Sequence, residues 1–366
     1  MKKILAIFIF LLLTISLASC GESKYPPVES TEEETRVVFT VMIDGEKYDV
    51  KYELYRALFT SLKSSVDGGD DSVWTGEDKD EYIEKIDALI LDHASEIYAS
   101  LHICKKNGID VYSDKFDKKI EKYIEIGVEG GEIDGVYFEG FGGDYEKYLK
   151  SLEDDGVNYS VQELLLRYSI ATDALTEYYA GNTDGNDYTD GAVMGAIKYT
   201  EDDIKSFYNS EECVRVIYAY LSSVAYKPER VEQIRDAIAA KSDEDAVISY
   251  IIQYTTLGAS DIKAGMLIAK YNLDPRYYAE ITDGAFELSL YETSEVYEFK
   301  NGSNDAYIIL YRTDKDLDYF EKNYDKIVSV YLNNEIGKII DETKLELIKS
   351  VSYTEYLNSL DRSEIK

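Results

Sequence analysis

Apolar residues recur at steps of three and four from Tyr82 to Lys106, where Ile83, Ile86, Ile90, His93, Ile97, Leu101 and Cys104 make one stripe. That spacing predicts a long amphipathic helix, closed by Asn107-Gly108. Ahead of it Val37, Phe39, Val41 and Ile43 alternate, the chain turns at Asp44-Gly45, and alternation resumes at Lys47–Asp49. This predicts a small hairpin leading into a helix from about Val50 to Leu62. Further helices are predicted over Ser113–Ile126, Asp144–Glu153 and Ser160–Tyr179, the last opened by the box Ser160-Val161-Gln162-Glu163.

The second half patterns differently. Val214-Arg215-Val216-Ile217-Tyr218-Ala219-Tyr220-Leu221 reads as a buried strand, followed by a helix starting at Pro228 with Val231, Ile234 and Ile238 on one face. A second helix is predicted from the box Ser242-Asp243-Glu244-Asp245, burying Val247, Ile248, Ile251 and Ile252. Ala285-Phe286-Glu287-Leu288 comes next, then strand Glu295–Lys300, the Asn301-Gly302 turn signal and strand Ala306–Arg312. Asp316–Lys349 carries Phe320, Tyr324, Ile327, Tyr331, Ile336 and Ile348 at helical spacing, a rod of about 45 Å.

The N-terminus adds compartment. Met1-Lys2-Lys3 is basic, Ile4–Leu17 is continuously apolar but too short to span a bilayer, and Leu17-Ala18-Ser19-Cys20 follows. This is a secretory signal whose ending resembles a bacterial lipobox, with Cys20 as the lipidated residue. Residues 1–19 are then removed, and 20–36, with Pro26-Pro27 and the acidic run from Glu29, reads as a flexible tether. Everything after Cys20 is expected outside the cytoplasm, lipid-anchored to the bacterial cell membrane.

The chain carries 39 basic and 72 acidic side chains, a formal charge of −33, and loss of Lys2 and Lys3 with the signal makes it more negative still. Nucleic acid is excluded as a partner, because phosphate binding needs a basic surface. Only Cys104 and Cys213 remain after Cys20; an exported protein can form a disulfide, but buried free thiols are the expected state. The two histidines, His93 and His102, share one helix, and His93 is expected as a core residue on its stripe. Glu125–Asp144 and Ala180–Gly195 are glycine-rich and acidic, but neither has regular calcium-loop spacing. They read as a mobile loop and an interdomain linker. No metal, no cofactor, and no serine, cysteine or histidine nucleophile set is predicted. Tyrosine is abundant, 35 against 11 phenylalanines and a single tryptophan, and it suits both cores and wet binding surfaces.

The order strand, helix, helix, Ala285-Phe286-Glu287-Leu288, strand, Asn-Gly turn, strand resembles a parvulin-type peptidyl-prolyl isomerase domain. Val216-Ile217-Tyr218-Ala219-Tyr220 and Asp305-Ala306-Tyr307-Ile308-Ile309 put Tyr218 and Tyr307 where that family carries histidines. The family's glycine-rich loop is reduced to Lys263-Ala264-Gly265-Met266-Leu267, while Tyr277, Ile281 and Phe286 fall at its proline-pocket positions. The Val41–Tyr48 hairpin, the long helix, Asn107-Gly108-Ile109-Asp110-Val111 and Thr200–Tyr208 are similar to SurA/PrsA-type extracytoplasmic folding factors.

The resemblance implies an α+β, mostly helical fold. A SurA-N-like helical domain (37–199, completed by a C-terminal helix in 316–366) would hold an inserted parvulin-like α/β domain (200–315). It implies a membrane-anchored chaperone or foldase for unfolded or nascent secreted polypeptides. Tyr218, Tyr277, Ile281, Phe286 and Tyr307 would bind substrate, and isomerase activity would be reduced or lost. An active isomerase, and a surface adhesin or ligand-binding lipoprotein, stay open as alternatives. Dimerisation occurs in proteins of this type, and the sequence leaves it undecided.

Overall fold

The computed structural model describes residues 24–133, 136–181, 195–241, 243–255, 257–271, 279–299 and 306–365. They form two compact units: one runs up to Ala196 and is completed by the chain from Lys338 onward, and the other is Ile197–Gly337. The architecture is α+β and mostly helical.

In the first unit, β1 (Val37–Ile43) and β2 (Glu46–Lys51) form a hairpin. Asp44 and Gly45 take φ values of 51° and 79°, the positive values that a two-residue hairpin turn requires. Helices α1 (Tyr52–Asp67), α2 (Lys79–Lys106), α3 (Asp114–Glu129), α4 (Tyr145–Asp154) and α5 (Tyr159–Ala180) follow. The last strand of the chain, Ser352–Tyr353, pairs antiparallel with β1, matching Phe39 to Tyr353 and Thr40 to Ser352, so the C-terminal segment completes this sheet. The core is the α2 stripe: Ile86, Ile90, Ile97, Leu101 and Cys104 are buried.

Four features of this unit differ from the sequence expectation. His93 is only half-buried, with Ala94 in the core beside it. The buried histidine is His102, whose ring lies 3.0 Å from the Tyr48 hydroxyl and 3.3 Å from Asp44. Helix α5 is capped by Asn158, whose side chain accepts from the Val161 amide, while the Ser160 hydroxyl is turned to Glu53. The described residues of the glycine-rich acidic stretch include a helix end and two short strands where a loop was expected. Helix α3 continues to Glu129, and Gly131–Ile133 (β3) pairs with Val136–Phe138 (β4). A Cβ on Gly140 would sit 2.1 Å from the Gly130 nitrogen, so glycine there serves a close backbone crossing.

The fourth difference is the tether. From Lys24 on the chain lies on the first unit. Tyr25 is buried against Tyr145, with ring centroids 5.1 Å apart, and its hydroxyl donates to Glu129. Ser30 donates to Glu53, and Arg56 donates to Glu34 at 2.9 Å. Composition suggested a spacer, but the partners of these residues are remote in sequence, and no local pattern reveals them.

The second unit opens with α6 (Glu201–Asn209), capped reciprocally by Thr200 and Asp203. It continues with β5 (Cys213–Ser222), α7 (Pro228–Ala239), α8 (Glu244–Ile251), α9 (Ala259–Ala264) and β6 (Met266–Ala269). Then come α10 (Ala279–Glu287), β7 (Thr293–Phe299) and β8 (Ala306–Thr313). The strands make one antiparallel sheet in the order β6-β5-β8-β7. The predicted C-terminal rod is broken at Asn323 into α11 (Leu317–Lys322) and α12 (Tyr324–Lys349). There the Asn323 side chain and amide both donate to the Tyr319 carbonyl. Helix α12 starts in the second unit and ends in the first.

Buried Arg215 braces one end of the sheet. It pairs with Glu244 at 3.1 Å, donates to the Asp314 carbonyl and lies 4.5 Å over the Tyr319 ring.

Candidate binding face of the second unit

The sheet of the second unit has two unlike faces. Residues directly opposite in an antiparallel ladder share a face, and neighbours along a strand alternate. Ile217, Ala219 and Leu221 of β5 lie opposite Tyr311, Ile309 and Tyr307 of β8. This face is covered by Val231, Ile234 and Ile238 of α7, Val247, Ile248 and Ile251 of α8, and Ile262 of α9. Tyr307 packs on that cluster.

Tyr218 lies opposite Leu310, and Tyr220 opposite Ile308, so both point to the other side. Tyr297 of β7 is also paired with Ile308 and joins them there. The structure therefore separates the two sequence-predicted tyrosines. Tyr307 belongs to the helix-covered core face, and the β8 residues level with Tyr218 and Tyr220 are Leu310 and Ile308. The reason is strand periodicity: an offset of one residue moves a side chain through the sheet. Both faces of β8 are largely apolar (Ala306, Ile308 and Leu310 against Ile309 and Tyr311), so no polar–apolar alternation marks the register.

Helix α10 lies on the Tyr218 side. A Cβ added to Gly284 would meet the Tyr297 hydroxyl at 1.8 Å, so the helix rests directly on that phenol. Arg312, opposite Val216, donates to the carbonyls of Phe286 and Leu288 and fixes the helix end. Ile281, Ala285 and Leu288 are buried at i, i+4 and i+7, and Phe286 is half-buried. Gly265, with φ of 66°, would bring a Cβ within 2.8 Å of the Val216 carbonyl, so it lets the chain enter β6 closely beside β5. Tyr277 and Cys20 lie outside the described residues.

Tyr218, Tyr220 and Tyr297 are half-buried, with rings partly open to solvent. Burial raises the Tyr220 hydroxyl above its ordinary value. Burial, then the carboxylates of Glu287 and Glu295, does the same for Tyr297. Both are neutral at physiological pH and act as hydrogen-bonding tips on apolar rings. The second unit contains no histidine in its sequence, because His93 and His102 both sit on α2. Sequence reasoning missed Tyr220, Tyr297, Gly284 and Arg312. Tyr220 was accessible by parity with Tyr218; Gly284 and Arg312 carried no signal before the helix was placed.

Cys104 and Cys213 are free and buried, and burial raises the Cys213 thiol to about 11. Among the described residues, no group of three or more His, Cys, Asp or Glu is arranged to hold a metal ion. No described helix is long and apolar enough to cross a membrane.

The geometry defines an α+β protein with a helical unit and an inserted antiparallel-sheet unit. Among known proteins, no family model and no curated sequence matches the chain. It is similar to solved structures of PrsA foldases. The Streptococcus pneumoniae protein is 11% identical with a TM-score of 0.31, covering 84% of this chain and 92% of that one. The Bacillus subtilis protein is 16% identical with a TM-score of 0.23, covering 86% and 93%. The Lactococcus lactis protein is 13% identical with a TM-score of 0.23, covering 90% and 99%.

Proposed function

We propose that this protein is an extracytoplasmic folding factor, acylated at Cys20, that binds unfolded exported polypeptides and whose second unit is a binding module without isomerase chemistry. The observation that carries this reading is the separation of Tyr218 from Tyr307 on opposite faces of one sheet. Twisting a prolyl bond faces a barrier of about 18–20 kcal/mol, and lowering it calls for polar groups converging on the bond. Across the ladder Tyr218 meets Leu310, and Ile308 and Tyr297 lie beyond. That arrangement supports aromatic and aliphatic contacts with an extended chain more than a paired polar site. Tyrosine supplies rigid contact area with a polar tip, the property wanted of a surface that takes many sequences.

The test is suppression of aggregation of an unfolded secreted protein by the mature chain. Wild type should suppress it, and the Tyr218→Ala/Tyr220→Ala variant should do so several-fold less well. Failure of wild type with every client tried would sink the reading. An active isomerase remains the second reading, because Tyr218, Tyr220 and Tyr297 keep their hydroxyls.

A further inference from the structure

Lys24 is four residues after Cys20, a span of at most about 14 Å, and from there the chain is bound to the first unit at several points. The Tyr25 hydroxyl donates to Glu129 at 2.7 Å, and the Tyr145 hydroxyl donates to the Pro26 carbonyl at 2.7 Å. Ser30 and Asn158 both donate to Glu53. The Glu53 amide donates to the Glu34 carbonyl at 3.0 Å, and the Tyr52 amide to the Arg36 carbonyl at 2.8 Å. The Arg36 guanidinium lies 3.5 Å over the Tyr356 ring. A free spacer makes none of these contacts; this segment is a strap.

The strap begins where Lys24 and Tyr25 meet Glu129. Glu129 there ends α3, and the β3–β4 hairpin starts two residues on. Tyr137 on that hairpin is 74% exposed, and Phe141, whose amide donates to the Val128 carbonyl, is 37% exposed. Exposed aromatic rings suit the membrane–water interface. We propose that the strap, Lys24–Arg36, orients the first unit on the membrane, holding the end that carries Glu129, Tyr137 and Phe141 against the bilayer. This rests on acylation of Cys20. It makes the face that the first unit turns to the bilayer a property of the fold rather than of a tether.

The test is energy transfer on the acylated full chain in phosphatidylcholine vesicles, from a donor on Glu139→Cys to an acceptor on the lipid headgroups. Glu139 is exposed, whereas Cys104 and Cys213 are buried and Cys20 is capped by the lipid. A twelve-residue Gly/Ser insertion between Ser23 and Lys24 keeps every strap contact and lengthens the reach by about 20 Å. Wild type should give efficient transfer, the insertion variant at least twofold less, and Tyr25→Ala/Ser30→Ala a value between them. Equal transfer from wild type and the insertion variant, with acylation confirmed by intact mass, would overturn the strap. An unacylated Cys20 with no vesicle binding would overturn the anchor and the strap together, and the mass separates the two failures.

Discussion

Gly284→Ala tests the placement of α10 over the Tyr218 face. The added methyl would stand 1.8 Å from the Tyr297 hydroxyl, 2.7 Å from Cζ and 3.3 Å from Cε1. Contact at those distances is forbidden, so either the half-buried phenol swings out or the helix lifts. Overpacking of this kind costs about 1–3 kcal/mol. Alanine favours the helix over glycine by about 1 kcal/mol, which leaves a net loss of about 1 kcal/mol. With Tyr297→Ala as background the clash disappears and the same substitution should stabilise by about 1 kcal/mol. The coupling energy of the double-mutant cycle is then about 2 kcal/mol. The assay is urea unfolding followed by far-ultraviolet circular dichroism and by tryptophan fluorescence. The sole tryptophan, Trp74, lies in the first unit, so a change confined to dichroism belongs to the second. Additive costs, with no sign change in the Tyr297→Ala background, would refute the placement.

Three further outcomes are expected. Tyr307→Ala should cost the second unit about 2 kcal/mol by loss of core packing with peptide affinity unchanged, whereas Tyr218→Ala should leave stability within about 1 kcal/mol and weaken peptide binding about tenfold. Arg362→Met removes the guanidinium that bonds Asp87 at 2.8 Å and the Tyr55 hydroxyl at 3.2 Å. Burial already raises Asp87 and Arg362 opposes it, so the variant should raise it further. Folding then takes up a proton at Asp87, and the variant's stability loss, about 3 kcal/mol at neutral pH, should shrink as pH falls toward 5 in denaturant titrations. For Asp67, burial would raise the carboxyl, but the Trp74 indole, the Gly69 amide and Lys63 hold it low. Its contribution is present above about pH 4 and lost below, so Asp67→Asn should flatten the acid limb of the Trp74 fluorescence titration.

The elements legible in the sequence are those whose signals are local. The α2 stripe, the Asp44-Gly45 turn and the Pro228 helix start are written in spacing and turn chemistry, and the structure places them within a few residues of expectation. What was not legible depends on partners far along the chain. Tyr25 finds Glu129, Ser30 finds Glu53, and Arg362 finds Asp87, none at a spacing that a window along the sequence inspects. His102 rather than His93 is the buried histidine, because the β1–β2 hairpin presents Asp44 from its turn and Tyr48 from β2 to it. The candidate site was half legible. Tyr218 and the α10 positions Ile281 and Phe286 belong to one side of the sheet, but the apolar run Ala306–Tyr311 hid the register that sends Tyr307 to the other.

The central question is whether the Tyr218 face binds chains without turning prolyl bonds. Exchange spectroscopy on a proline-containing peptide with the mature chain decides this, since uncatalysed interconversion takes tens of seconds. A binding face without isomerase chemistry gives broadened peptide resonances, no cis–trans cross-peaks at sub-second mixing times, and loss of the broadening in Tyr218→Ala. Strong cross-peaks at short mixing times, or broadening untouched by Tyr218→Ala, would contradict it.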